Sequence, residues 1–572
     1  MGDPKKIYQN TKAKEQNTFD VIVIGSGITG GWAAKEFCEK GLKTLVLERG
    51  RNVEHIKDYP TANKFPWMFE HRLNVTQKQM AENPIKSAAS DEASAIFFVD
   101  DKEHPYIQEK PFTWVRGYQV GGRSLTWGRQ CYRYSDLDFE ANLKDGIGVD
   151  WPIRYKDLAP WYEYVENYVG ISGKNEGLAH LPDGNFLPPM EMNCIEDYFS
   201  EKIRSHYKDR LVTIGRVANL SKGWNGRGPC QYRNLCSRGC PFSGYFSSNA
   251  ATLPSAAATG NLTLLPDSIV VEIMYDARND RAEGVRVMDA YTKQVTEYYA
   301  RIIFINASTI ATAAILLNSV SSRFPDGFGN SSGQIGHNLM DHFTGTGAEG
   351  EFEGFTDKYY YGRRPVGIYM PRFRNISNET ARKDYIRGFG LQGMGGRATW
   401  KIQGSRLEGF GKDFKEKLLQ PGPWVLWMGG WGETLPYFDN KVVLDEKQKD
   451  QWGIPLVKID YQYHENEETM KKDILTSIEE MLSIAGFKNV KSYSHLQPGG
   501  SAVHEMGTVR MGRDAKTSVL NGYNQMHDIK NVFVTDGSCM TSSGTANPSL
   551  TYMALTARAC DFAVNELKKG NL

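Results

Sequence analysis

His504 lies in Gly499-Gly-Ser-Ala-Val-His-Glu-Met-Gly-Thr-Val-Arg-Met-Gly512, a run bracketed by glycines. An imidazole titrates near pH 6.5, so it can take the proton of an alcohol at neutral pH. A histidine standing alone is more often structural than catalytic, but this one has company. Downstream, Asp536-Gly537-Ser538 closes a strand and Gly544-Thr-Ala-Asn-Pro-Ser549 opens the last helix. There Asn547 suits an N-cap and Pro548 the first helical position. Such a helix starts sharply and turns the positive end of its dipole toward a ligand.

A second set with chemical potential is Cys230, Cys236 and Cys240, followed by Pro241. Their spacing resembles iron–sulfur ligand runs. A disulfide among the three would leave one cysteine over. Zinc would want a fourth Cys or His, and none is obvious nearby. Spacing alone leaves the three readings open. Cys38, Cys131, Cys194, Cys539 and Cys560 are isolated, and most read as small buried apolar residues.

The stretch that must position a cofactor for these groups is Phe19–Gly31, FDVIVIGSGITGG. Its short, mostly β-branched apolar run predicts a parallel strand covered on both faces. Gly25, Gly27 and Gly30 follow in G-x-G-x-x-G spacing. The first permits a tight turn, the second lets backbone approach a pyrophosphate, and the third lets helix and strand pack closely. A helix over Gly30–Lys40 would aim its first N–H groups at that phosphate. A second strand, Lys43–Leu47, ends at Glu48, where an acid binds a ribose 2′-hydroxyl. Strand, glycines, helix, strand and acid in that order predict dinucleotide binding.

The remaining elements follow from pattern. Residues 51–110 are irregular and proline-rich, as lids and interface elements often are. Gly121-Gly122 allows backbone to lie flat against something planar. Residues 151–210 read as helical. Leu262–Leu265, Ile269–Tyr275, Gly284–Met288 and Glu297–Ile305 read as a β-meander inserted before a buried strand and a helix at Ile310–Leu317. A mixed block follows, with an amphipathic helix at Glu465–Leu482. The chain ends with strand Asn531–Thr535 and helix Pro548–Leu567. The fold class is α/β: a Rossmann-like nucleotide domain over 18–340, with insertions at 51–115 and 151–260. An α+β domain with a large antiparallel sheet spans 341–495, and 496–572 returns to the first domain.

Length and composition bound the function. A chain of 572 residues holds more than one core. Its 68 basic and 67 acidic residues leave a net charge of +1, giving no reason to expect nucleic acid or an anionic membrane as partner. No run of 18 apolar residues suggests a membrane span. The first 18 residues are polar and lack an apolar signal core, so the expectation is no export signal.

The motifs in combination resemble the glucose–methanol–choline (GMC) flavoprotein oxidoreductases over nearly the whole chain. They are GSGITGG with Glu48, the Gly121-Gly122 element, GHNLMDH at 336–342, HEMGTVRMG at 504–512 and DGS…TANPSLTYMAL at 536–555. The resemblance implies FAD in the first domain. It places His504 as the base facing flavin N5 and Asn547 as its partner, holding the substrate oxygen. It also implies nucleotide contacts at Ile28, Arg49, Ser124, Val270, Ala307, Asp536, Gly537, Pro548 and Thr551. The last helix would then start beside the flavin pyrimidine and stabilise the reduced ring's charge.

Within the family, the chain is similar to pyranose oxidases, gluconate 2-dehydrogenases and bacterial glucose 3-dehydrogenases, which act on secondary alcohols of sugars. Pyranose oxidases carry a Ser-Thr-His-Trp run whose histidine bonds to the flavin. Here Thr126 stands in that place, so the expectation is non-covalent FAD. The cysteine run is similar to one that holds a [3Fe–4S] cluster in related dehydrogenase catalytic subunits. The resemblance implies a sugar or glycoside dehydrogenase, acting for example at carbon 3. A pyranose-type oxidase and a non-catalytic electron-relay subunit are the alternatives. It also implies a small signal-bearing subunit that carries the chain to the periplasm and a cytochrome c acceptor; without them the location would be cytoplasmic. Asp341 and His342 read as structural or flavin-side packing. Gln392, Arg397, Trp400, Trp424, Trp427 and Trp431 are candidates for a sugar pocket, with core packing at least as good a reading.

Overall fold

The computed structural model describes residues 16–359, 362, 364–398, 407–495 and 497–572. Trp400 lies outside the described residues. The opening strand, Thr18–Ile24, is buried over its last four residues and runs parallel to Thr44–Leu47 on one side and Val295–Ile305 on the other. Leu262–Leu265 pairs in parallel with Thr44–Leu47, so it extends the nucleotide sheet instead of joining the meander, as the sequence suggested. The meander is therefore three strands, Ser268–Asp276, Arg281–Asp289 and Val295–Ile305, paired antiparallel. Val295–Ile305 joins the two sets into one seven-stranded sheet. Its first half pairs within the meander, and its last three residues lie beside Val532–Val534 in parallel. That pairing brings the end of the chain back to its beginning.

The helix after the opening strand, Ile28–Glu39, starts two residues earlier than the sequence predicts. The C-terminal helix, Ser549–Lys568, packs against it. Two more helices, Tyr155–Val169 and Cys194–His206, account for the helical reading of 151–210. In the second unit, six strands form an antiparallel sheet ordered Lys488–Ser494, Thr346–Phe352, Trp424–Gly432, Phe389–Arg397, Ile368–Met370, Thr213–Ile214. The last of these comes from the 151–260 insertion. Helix Glu465–Ile484 buries Met470, Ile474, Ile478 and Met481 into that sheet's core. Its apolar face thus covers one side of that sheet.

Candidate active site

A cavity of about 560 Å³ runs from the glycine turn at Gly25–Thr29 to His504 and Asn547. The three motif glycines have different physical jobs. Gly25 sits at φ +94°, the left-handed region that favours glycine, and a Cβ there would lie 2.4 Å from the Asn306 carbonyl oxygen. A Cβ on Gly30 would lie 1.9 Å from the Gly25 carbonyl oxygen, so Gly30 sets helix–strand contact. A Cβ on Gly27 would meet nothing within 4 Å. The protein's own packing does not demand glycine at 27, and the space beyond it is the cavity.

Glu48 lines this cavity with Arg49, Ile28, Ser124, Val270, Ala307, Asp536, Gly537 and Pro548. Its carboxylate accepts the Ser26 N–H and hydroxyl at 3.1 and 2.6 Å and the Gly50 N–H at 2.9 Å, while burial raises its pKa. The Asp536 carboxylate is turned inward and satisfied by Ser308, Thr312 and Ser538. Gly30, Gly121 and Thr551 do not line the cavity. Gly121 packs against Asn249, whose Oδ1 a Cβ would meet at 1.7 Å, and the Thr551 hydroxyl bonds the Tyr162 hydroxyl at 2.8 Å. Seven buried polar atoms on the cavity wall have no hydrogen-bond partner among the described residues: Arg49 Nε, His104 Nδ1, Arg116 Nε and Nη2, Arg129 Nε, Asn306 Nδ2 and the Tyr552 hydroxyl. Buried polar groups are normally paired, so this wall suits a polar ligand.

At the other end, His504 is half-buried and lines the cavity. Its backbone N–H and that of Ala502 donate to the two oxygens of Asp341 at 3.0 and 3.1 Å. Between them Val503 sits at φ +56°, an uncommon conformation for a β-branched residue. The Asp341 carboxylate clamps that strained turn. Burial, then the nearby Glu505, raise the Asp341 pKa to about 7. Glu505 in turn makes a two-pronged pair with Arg123, at 2.6 and 3.3 Å. His504 itself is held well below the usual imidazole range by burial, then by His342 and Arg123.

Asn547 Nδ2 lies 3.3 Å from His504 Nε2, and its Oδ1 accepts Gln392 Nε2 at 3.0 Å. The carboxamide is therefore engaged and cannot cap the last helix. That helix begins at Ser549 with no side-chain cap, one residue later than the sequence implies. His342 is fully buried, its Nδ1 2.8 Å from His504 Nδ1 and its Nε2 3.0 Å from the Gly544 carbonyl. Gln392 in turn bonds Gln130, which lines the cavity. Sequence reasoning missed Gln130 and gave His342 a packing role. The run that holds His342, GHNLMDH, was the available signal. Arg397, Trp424, Trp427 and Trp431 do not line the cavity. Arg397 binds loop carbonyls, and the Trp424 and Trp427 indoles bond Phe355 and Tyr493.

The thiols of Cys230, Cys236 and Cys240 are free. Each sulfur accepts a neighbouring N–H, from Tyr232, the Asn219 side chain and Gly244 respectively. Among the described residues, no group of three or more His, Cys, Asp or Glu is placed to hold a metal ion.

Two family models described as GMC oxidoreductase match this chain, over residues 19–344 and 436–556. The chain is similar to 2-methyl-1,2-propanediol dehydrogenase of Mycolicibacterium austroafricanum, 28% identical over 95% of this chain and 94% of that protein. It is also similar to the fructose dehydrogenase large subunit of Gluconobacter japonicus, 26% identical over 98% of this chain and all of that one. A third relative is the gluconate 2-dehydrogenase flavoprotein of Pantoea cypripedii, 22% identical over 96% and 93%. In fold, it matches Aspergillus oryzae formate oxidase with a TM-score of 0.61 at 12% identity, over 97% of this chain and 99% of that one. Pyridoxine 4-oxidase gives a TM-score of 0.59 at 15% identity, over 96% and 99%. With both models matched on either side of the cavity, the chain belongs to the GMC oxidoreductases.

Proposed function

We propose that this GMC oxidoreductase, which binds FAD and acts on CH–OH groups, oxidises a secondary hydroxyl of a sugar or glycoside to a ketone as a dehydrogenase. The observation that carries the reading is the convergence of His504 Nε2 and Asn547 Nδ2 at one end of a cavity that begins at the dinucleotide turn. The wall fits a nucleotide: an open approach at Gly27, an acid at Glu48 and partnerless polar atoms at Arg49, His104 and Asn306. FAD, when bound there, would supply the two-electron acceptor for the hydride of the C–H bond. His504 Nε2 takes the hydroxyl proton. The Asn547 N–H donates to the same oxygen, which becomes the ketone oxygen. Relatives named for fructose and gluconate support a sugar-like substrate, and the resemblance favours carbon 3 of a glucoside.

The same names, a large subunit and a flavoprotein, support a multi-subunit dehydrogenase. On that reading a small signal-bearing subunit carries the chain to the periplasm and a cytochrome c takes its electrons. No helix among the described residues is long and apolar enough to cross a membrane. A [3Fe–4S] cluster on Cys230, Cys236 and Cys240 rests on the spacing and the resemblance alone. As folded, the thiols do not form a ligand set, so no step is assigned to them. The test of function is anaerobic mixing of wild type and His504→Ala with a panel of glycosides. Wild type should bleach its flavin and yield a ketone located by NMR. The variant should retain FAD and stay yellow, and bleaching by it would remove His504 as the base.

A further inference from the structure

We infer that His504 is locked in one tautomer, with its lone pair on Nε2, by a chain of hydrogen bonds that all donate in the same direction from Tyr132 to the Gly544 carbonyl. This rests on the reading of His504 as the base, and it names His342, Gln392 and Gln130 as positioning residues.

The direction follows from the Gly544 end, and the amide orientations at the other end match it. A carbonyl can only accept, so His342 donates to Gly544 from Nε2, at 3.0 Å. A neutral imidazole carries one N–H, so His342 Nδ1 is a lone pair. It faces His504 Nδ1 at 2.8 Å, which must therefore carry the hydrogen. The lone pair of His504 is left on Nε2, toward Asn547. From the other end, the Tyr132 hydroxyl donates to Gln130 Oε1, and Gln130 Nε2 donates to Gln392 Oε1. Gln392 Nε2 donates to Asn547 Oδ1 at 3.0 Å, which turns the Asn547 NH₂ toward His504 Nε2 at 3.3 Å. The two ends meet at His504 and agree.

The surroundings keep both rings neutral. His342 is fully buried, and burial lowers its pKa to about 4. Around His504 the charged groups are Arg123, already paired with Glu505, and Asp341, which accepts backbone N–H groups. Among the described residues, no carboxylate side chain bonds the His504 ring. An imidazole therefore holds this base, where many enzymes use a carboxylate.

The test compares His342→Gln with His342→Leu. Glutamine offers an oxygen to His504 Nδ1–H and an N–H to Gly544, whereas leucine offers neither. The first readout is the ¹⁵N NMR tautomer signal of ¹⁵N-histidine-labelled holoenzyme, with His504 assigned by its loss in His504→Ala. Wild type and His342→Gln should show His504 protonated at Nδ1. His342→Leu should lose that signal, keep its FAD and lose about a hundredfold or more in kcat. A resting His504 protonated at Nε2, or equal losses in the two variants, would overturn the inference. Should His342→Leu not fold, Gln392→Glu tests the other end. A carboxylate can only accept, so Asn547 must turn its oxygen to His504 Nε2; with His342 still holding a hydrogen on Nδ1, the ring must take a second hydrogen or lose its Asn547 contact, and an unchanged Nε2 ¹⁵N signal there refutes the chain. Because the tautomer is read without turnover, it stands or falls separately from the assignment of His504 as the base.

Discussion

Replacing Gly27 and Gly30 by alanine should separate cofactor binding from folding. At Gly30 the new Cβ would sit 1.9 Å from the Gly25 carbonyl oxygen and 2.7 Å from its carbon. Both are backbone atoms of the turn, so neither can swing aside. Reaching an ordinary contact needs the helix to retreat by about 1.5 Å, and overpacking of this kind costs about 3 kcal/mol or more. Gly27 is different. Its φ of −63° and ψ of −161° are open to alanine, and the Cβ meets no protein atom within 4 Å. The apo form of Gly27→Ala should be as stable as wild type, or gain about 0.5 kcal/mol from a less flexible unfolded chain. The methyl instead occupies space that a pyrophosphate needs, and FAD affinity should fall at least about tenfold, equivalent to 1.4 kcal/mol. Thermal unfolding of the two apo variants, with flavin fluorescence titration of Gly27→Ala, measures both quantities. Wild-type FAD affinity in Gly27→Ala would show that the nucleotide does not pass over this turn. Equal destabilisation by both variants would show that the Cβ geometry does not govern the packing.

Further outcomes are expected. With Thr126 in place of a flavin-linked histidine, acid precipitation should release all of the FAD into the supernatant, and yellow colour in the pellet would refute non-covalent binding. Iron analysis of protein purified without oxygen decides the thiol cluster: iron in fixed ratio to flavin supports it, and its absence together with three titratable thiols rejects it. The pH profile has a definite sign. Burial, His342 and Arg123 lower the His504 pKa, so the base stays unprotonated as pH falls past 6.5. The acid limb of kcat/KM should lie below that value, and a limb centred above it would show a solvated imidazole.

The nucleotide end was legible because its signals are local. A strand, three glycines and an acid lie within one short segment, and each obeys a backbone rule. The other end was legible only in His504 and Asn547, the pair proposed to react, and in Gln392 as a pocket candidate. His342 and His504 are 162 residues apart, and Gln130 and Gln392 are 262 apart. Neither glutamine belongs to a motif, and only the antiparallel sheet carries Gln392 to Asn547. The misplaced helix start has the same origin. Local preference made Asn547 a cap, but two distant partners claimed its carboxamide first. Leu262–Leu265 looked like a meander strand because its neighbour in space, Thr44–Leu47, is more than 200 residues away in sequence.

The turn at Val503 has a consequence of its own. A branched side chain held at φ +56° wants to relax, and two amide hydrogens on one carboxylate oppose it. The imidazole next to it is thus aimed by tension, as a bent spring aims whatever is fixed to its tip. Glycine at 503 would ease the assembly of this loop and at the same stroke let the ring wander. Robustness and aim are set against each other at a single peptide, one residue before the imidazole it aims.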